Sequence, residues 1–374
     1  MINIVGILIF ILILGIVVSV HEFGHFIMAR RCGIFVEEFA MGMGPKILTF
    51  RGKKKALSSI EGQEDVTLYT LRAFPIGGFC KMRGMEENIP DDPESMNNKS
   101  VFDRILVIIG GSFMNFLLAI ILFAILAFLT GYVVPIVTSV ADGMPAQQAG
   151  IQVGDRITHI NGSRVNLWDN FRFVLDNSGG NPMDIRVNRD GQRMDVTLTP
   201  IVDEGGRIIM GIVPHIRFGA LDSIPEGFTD FERATILGSI GNAAETIVFH
   251  IRTPFRIIAR LVTRQPVPDG AGVVGIIGLG GQVAEIYSVV ITRGILDTIL
   301  TMIGINALIS VAIGTMNLLP IPALDGARLV FLVIEGIRKK PISQEREGMV
   351  HLVGFGFLIL IFIFVTYRDI INLM

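Results

Sequence analysis

Residues 4–29, IVGILIFILILGIVVSVHEFGHFIMA, carry the reading on which the rest of the chain depends. A bilayer core of about 30 Å takes roughly 20 apolar helical residues, and this run is long enough. It has no basic start and no small-residue cleavage site, so it reads as a membrane span, not a cleaved signal peptide. Near its end stand His21, Glu22 and His25, polar groups that are costly at that depth unless they have a function. On a helix, positions i and i+4 share a face, so both imidazoles can reach one zinc ion. Glu22 lies one position along and is free of that ligand role. It can take a proton from a water that the zinc acidifies and pass it to a leaving amine.

Further apolar stretches follow at 105–129, 295–319 and 350–367, which gives four spans. The third contains Asn306, Ser310 and Asn317, which should face protein or a wet cavity. With 51% hydrophobic and only 18% charged residues, the composition suits a lipid-facing surface. The net charge is −2 and no basic patch is interleaved with aromatics, which argues against a nucleic-acid partner. Cys32 and Cys80 fit neither metal spacing nor a disulfide framework. Arg30, Arg31 and Lys53–Lys55 follow the first span, and Arg338, Lys339, Lys340 and Arg346 precede the last. An even number of crossings separates these loops, so both belong on the cytoplasmic side. The termini and the long central segment then lie outside a multi-pass cell (inner) membrane protein, with the histidines toward the cytoplasmic face.

Between 132 and 216 the composition becomes that of a soluble α+β domain. Short alternating strands such as Arg156–Ile160 and Met183–Val187 are separated by the tight-turn pairs Asn161-Gly162 and Asp190-Gly191. A helix over Leu167–Leu175 should place Trp168, Phe171 and Leu175 on one face. The run Pro145–Gly162 resembles the core of a bacterial PDZ domain, a module that binds peptides by strand addition. The segment 217–292 reads as an amphipathic helix and a linker. Arg252, Arg256, Arg260 and Arg264 recur every fourth position, and Pro254 should kink or divide the helix. That helix suits either the membrane surface or ordinary packing with a solvated basic face.

A catalytic zinc needs a third protein ligand and one open position. The candidate is Asp325, in Asn317-Leu-Leu-Pro-Ile-Pro-Ala-Leu-Asp-Gly326, where Pro320 and Pro322 break the helix and Gly326 permits a tight turn. Alone, Asp325 also reads as the N-cap of a helix starting near Ala327. Paired with His21 and His25, it reads as a ligand.

These motifs, with Met41-Gly-Met-Gly-Pro45, Phe74-Pro-Ile-Gly-Gly78 and Gly111-Ser-Phe-Met-Asn115, resemble the site-2 protease family of bacterial intramembrane zinc metalloproteases (peptidase M50 type, single PDZ domain) over nearly the whole chain. Ser112 stands where family members usually carry proline. The resemblance implies a polytopic α-helical membrane protein with about four transmembrane helices, a membrane-associated β-hairpin and an inserted extracytoplasmic PDZ domain. Its parts would be 1–131 and 293–374 in the membrane, 132–216 as the PDZ domain and 217–292 as surface helix and linker. Further implications are Zn2+ held by His21, His25 and Asp325, and Glu22 as general base. Asn115, Asn317, Gly42, Gly44, Gly77 and Gly78 would be accessory or substrate-binding residues. The implied substrates are single-span membrane proteins, such as anti-sigma factors or remnant signal peptides, with a peptide or C-terminus at the PDZ domain. The β-rich stretches 35–50 and 66–82 would offer a strand edge to an unwound substrate. A membrane-anchored PDZ scaffold and a metal transporter are the alternatives, and neither gives Glu22 a task. The GxGxxG match at 270–275 lacks a preceding strand, the sequons at Asn98 and Asn161 are chance-level, and His159, His215 and His250 stand apart from other ligand types.

Overall fold

A computed structural model describes residues 3–52, 66–85, 89, 92–203, 207–221, 232–262, 276–340 and 342–373. The lysines at 53–55, Arg264 and the glycine-rich match at 270–275 fall outside the described residues. In chain order the elements are α1 (Ile4–Arg31), β1 (Val36–Arg51), β2 (Leu68–Met82), α2 (Val101–Thr130), β3 (Tyr132–Val140), α3 (Pro145–Gln148), β4 (Arg156–Ile160), β5 (Ser163–Arg164), α4 (Trp168–Asp176), β6 (Met183–Arg189), β7 (Gln192–Leu198), β8 (Ile201–Val202), β9 (Ile208–Ile209), β10 (Ile212–Phe218), β11 (Glu232–Arg233), α5 (Ile236–Val262), α6 (Ile276–Val290), α7 (Ile295–Leu318), α8 (Asp325–Arg338) and α9 (Gln344–Leu373). They fall into two compact units, one of residues 1–119 and 273–374 and one of residues 120–272.

Four helices, α1, α2, α7 and α9, are long and apolar enough to cross a membrane among the described residues. Small residues set how the helices of the first unit approach one another. A Cβ on Gly24 would stand 2.1 Å from the Gly110 carbonyl oxygen, and one on Gly110 would stand 2.8 Å from the Gly24 oxygen. The backbones of α1 and α2 therefore touch at this glycine pair, the close approach that small residues allow in lipid. Gly6 meets the Ala284 backbone in the same manner and Gly280 receives the Phe10 ring, which docks α6 on the first half of α1. The 217–292 segment thus holds a second helix in a place where the sequence suggested linker.

The strands β1 and β2 form an antiparallel hairpin with several register shifts. Glu38 accepts from Thr70 Oγ1 (2.7 Å), Arg72 Nη2 (2.9 Å) and Lys46 Nζ (3.1 Å), which ties both strands together. The hairpin's root packs with Ala29, Met96, Val107, Ile108 and Leu332 in one apolar cluster. Met41, Met43, Phe50, Phe74 and Ile76 are exposed, an apolar surface that suits lipid better than water.

In the second unit the sheet order is β11-β10-β3-β4-β6-β7, with β5 on β4. Alternation along β4 and β6 puts Ile157, Ile160, Met183, Ile185 and Val187 into a core shared with Phe171 and Leu175 of α4. Asn161 and Asp190 adopt positive φ before Gly162 and Gly191, the backbone a two-residue hairpin turn requires. Asp155 is fully buried and accepts two bonds from Arg189 at 2.7 Å each and one from the Gln152 N–H. Burial pushes its carboxyl up, but the Arg189 and Gln152 bonds outweigh that and hold it below its ordinary value. The arginine-bearing helix α5 is not divided at Pro254 and continues to Val262. Arg256 donates to Asn170 Oδ1 at 3.2 Å and lies over the Phe173 ring, so this part of the basic face packs on α4.

Candidate metal centre

The ends of α1 and α7, the beginning of α2 and the first residue of α8 meet in one place. His21 and His25 project from the same face of α1 and are buried. The separation of His21 Nε2 and Asp325 Oδ2 is 3.1 Å, that of His25 Nε2 and Asp325 Oδ2 is 3.2 Å, and that of the two Nε2 atoms is 3.2 Å. Zinc bonds of about 2.0–2.1 Å in tetrahedral geometry set donors about 3.3 Å apart. The triangle therefore fits that ion, with two nitrogen donors and one oxygen donor suited to it.

The other ring nitrogens fix the imidazoles for this task. His25 Nδ1 lies 2.8 Å from the Val107 carbonyl oxygen, an acceptor only, so Nδ1 carries the proton and the Nε2 lone pair faces the triangle. His21 Nδ1 lies 3.3 Å from the Asn115 amide, whose Oδ1 is buried without a partner. Rotating that amide by a half-turn, which swaps two nearly indistinguishable atoms, lets Oδ1 accept from a protonated His21 Nδ1. Ser310 Oγ donates to the Asn115 carbonyl at 2.9 Å and links α7 to α2 behind the site.

Asp325 reaches the histidines because of how the chain leaves α7. The N-cap of α8 is Leu324, with no side-chain cap bond, so Asp325 is the first helical residue and its carboxylate is turned to the histidines. The N-cap alternative for Asp325 is thereby removed. Gly326 does not take a left-handed turn; its role is proximity, since a Cβ there would meet the Leu319 carbonyl oxygen at 2.1 Å. The left-handed position of this segment is Ala323, at φ 75°.

Glu22 lines a cavity of ≈320 Å³ with His21, His25, Asp325, Asn317 and Cys80. A backbone hydrogen bond from Cys80 reaches its carboxylate, and a Cβ on Gly78 would sit 3.5 Å from Glu22 Cγ. A larger cavity of ≈650 Å³ shares Met85, Met96, Ile108 and Arg328 with it, so the two adjoin. Asn317 Nδ2 lies 3.4 Å from His21 Nε2. Of Gly42, Gly44, Gly77 and Gly78, Gly78 is the one whose added Cβ would meet a site residue, Glu22. Gly42, Gly44 and Gly77 have positive φ and close contacts with Phe74 or Met43, and so shape the hairpin backbone. Ser112, buried in α2, leaves that helix continuous.

Sequence reading missed the contribution of Gly111. A Cβ there would stand 2.5 Å from His25 Nε2 and 2.7 Å from His21 Nε2, so this glycine makes the space the imidazoles occupy. The available signal was the Gly110-Gly111 pair within an apolar span, a mark of close helix crossing.

Two imidazoles, a carboxylate and a neighbouring glutamate, gathered between helices of membrane-spanning length, are a donor set that could hold a metal ion, the kind a metal-dependent membrane hydrolase needs. The chain belongs to Peptidase family M50, whose model matches residues 9–361. It is 32% identical over 369 residues to a protein of Clostridium acetobutylicum named as a zinc metalloprotease, covering 98% of this chain and 97% of that one. It is 27% identical over 442 residues to zinc metalloprotease RasP of Geobacillus kaustophilus, covering 96% of each. The PDZ domain of an SdrC-like protein from Listeria innocua is similar over 22% of this chain and 93% of that chain, at 26% identity and a TM-score of 0.20. The protein is thus a multi-pass membrane metalloprotease of the site-2 protease family, with zinc as its cofactor.

Proposed function

We propose that the chain cleaves transmembrane segments of single-span membrane proteins at a zinc held by His21, His25 and Asp325, with Glu22 as general base. The observation that carries this reading is the triangle of donor atoms at 3.1–3.2 Å with Glu22 lining the same cavity. When bound, zinc supplies a Lewis acid that polarises the scissile carbonyl and acidifies a water. Glu22 takes the water's proton on a carboxylate oxygen and returns it to the amine nitrogen that leaves. Val107 and Asn115 hold the imidazoles in the tautomers that keep both Nε2 lone pairs available. Asn317 lines the cleft and Gly78 lies against Glu22, and both contact the substrate backbone.

Arg30 and Arg31 at the end of α1, with Arg338, Lys339 and Lys340 ahead of α9, support a cytoplasmic side there, and with it a PDZ domain outside the cell membrane and a site near the inner face. A substrate helix hides its carbonyls in its own hydrogen bonds and must unwind to react. The exposed edges of β1 and β2 beside the cleft receive the unwound strand, and the PDZ domain binds a peptide or C-terminus. Membrane-tethered anti-sigma factors and remnant signal peptides have the required single span.

The deciding experiment measures bound zinc and cleavage of a model transmembrane substrate for wild type and Glu22→Gln. The variant should keep its zinc and lose cleavage by at least about a hundredfold, as expected for a positioned general base. Undiminished cleavage by Glu22→Gln would refute the assignment, and zinc without cleavage by wild type would favour a scaffold or transporter.

A further inference from the structure

The turn that delivers Asp325 is held from outside by a helix that supplies no ligand. Between α7 and α8 the backbone donors are nearly exhausted: Pro320 and Pro322 have none, Ile321 bonds to the Leu319 oxygen at 2.7 Å and Leu324 to the Ile321 oxygen at 3.1 Å. The Ala323 N–H remains, and it donates to His351 Nδ1 of α9 at 2.9 Å. Ala323 is also the residue at φ 75°, a conformation that side-chain-bearing residues adopt only when their surroundings impose it.

Two further contacts fix the imidazole and its helix. The Phe331 ring of α8 meets the His351 ring edge-on with centroids 5.8 Å apart. Gly354, one turn along α9, has no room for a Cβ, which would meet Pro322 Cβ at 1.9 Å. Only 6% of the apolar window of α9 is buried, so these contacts stand out on a helix otherwise given to lipid.

We propose that His351 is a positioning residue for the third zinc ligand. By accepting the Ala323 N–H, it holds the left-handed turn that points the Asp325 carboxylate at His21 and His25. The inference rests on the ligand reading given above. It assigns the last transmembrane helix a part in metal binding two residues away from the ligand itself.

The test is zinc affinity, by chelator competition on the full-length protein in detergent, with helical content checked by circular dichroism. His351→Ala should weaken zinc by about 10- to 100-fold, the range found when partners outside the ligand set are removed. His351→Asn places an amide oxygen where Nδ1 stood and should stay within about threefold of wild type, within the scatter usual for a retained hydrogen bond. Ala323→Gly added to His351→Ala should recover much of the loss, because glycine needs no support at positive φ. If His351→Ala does not fold, His351→Gln replaces it: its longer side chain puts the amide past Nδ1, and affinity should fall where Asn keeps it. Wild-type affinity in His351→Ala, or equal losses in the Asn and Ala variants, overturns the proposal. Asp325→Ala separates the two readings. If it keeps wild-type zinc affinity, the ligand assignment fails and the inference with it. If Asp325→Ala loses zinc and His351→Ala does not, the inference alone fails.

Discussion

Replacing Gly111 by alanine adds one methyl group in a buried helix and should nonetheless empty the metal site. The new Cβ would lie 2.5 Å from His25 Nε2 and 2.7 Å from both Nε2 and Cε1 of His21, where ordinary contact begins at 3.4 Å. Relief requires the imidazoles or α2 to shift by about 0.9 Å, whereas ligand distances in metal sites hold to within about 0.2 Å. Moving α2 away from α1 would relieve the clash only by opening the Gly24–Gly110 backbone contact, which sacrifices the packing of the two helices. Changes that merely loosen groups around the ligands reduce affinity by about 10- to 100-fold, and here two donors are displaced directly. We therefore expect a loss of at least about 100-fold, or about 2.7 kcal/mol. Helix propensity runs the other way, since alanine is favoured over glycine by about 1 kcal/mol in a helix interior. The assay is competition with a chromogenic zinc chelator on the purified protein. Gly356→Ala, where nothing lies within 4 Å of the added carbon, is the control. A Gly111→Ala protein that binds zinc within threefold of wild type would show that the imidazoles do not occupy the positions described.

Two predictions concern the second unit, whose Trp168 is the chain's only tryptophan and reports its unfolding by fluorescence in the intact protein. Asp155→Asn should destabilise the unit by about 2–3 kcal/mol, since a buried acceptor of charge-assisted bonds is lost while Arg189, itself partly exposed, keeps its charge. In the wild type, Asp155 has a folded-state pKa below its unfolded value, so its contribution is present above about pH 3.9 and disappears as pH falls through the folded-state value. Urea midpoints at neutral and acid pH should therefore converge between wild type and Asp155→Asn, and a gap that persists in acid contradicts this account. Phe171→Ala should lower stability by about 3–5 kcal/mol, because the ring is 1% exposed and stacks on Trp168 at 4.4 Å. A shift in the urea midpoint worth under about 1 kcal/mol, the range of surface changes, would mean that the Phe171 site is not a packed core.

The spans were legible because lipid demands about 20 apolar residues in a row, a local signal. The His21–His25 pair was legible because helical periodicity puts i and i+4 on one face. The hairpin turns at Asn161-Gly162 and Asp190-Gly191 were legible because positive φ restricts residue choice. α6 was missed because fifteen residues fall short of a span, and its docking depends on Gly6 and Phe10 more than 260 positions earlier. Of the two outcomes expected at Pro254, division does not occur, because the missing hydrogen bond of one proline does not by itself end a helix that packs on α4 through Arg256.

By itself the sequence determined the spans, the zinc-type motif and the family. Each is written in neighbouring residues or in local composition, so no fold was needed to read it. Only the tertiary structure decided that Asp325 is the first residue of α8 and not its cap, that Gly111 is the hollow for two imidazoles, and that Gly326 serves close approach. It also decided that Val107 and Asn115 orient the rings. Apart from the local approach of Gly326 to Leu319, these are contacts between residues 82 to 304 positions apart, set by how helices cross, and helix crossing depends on the shapes of both surfaces at once.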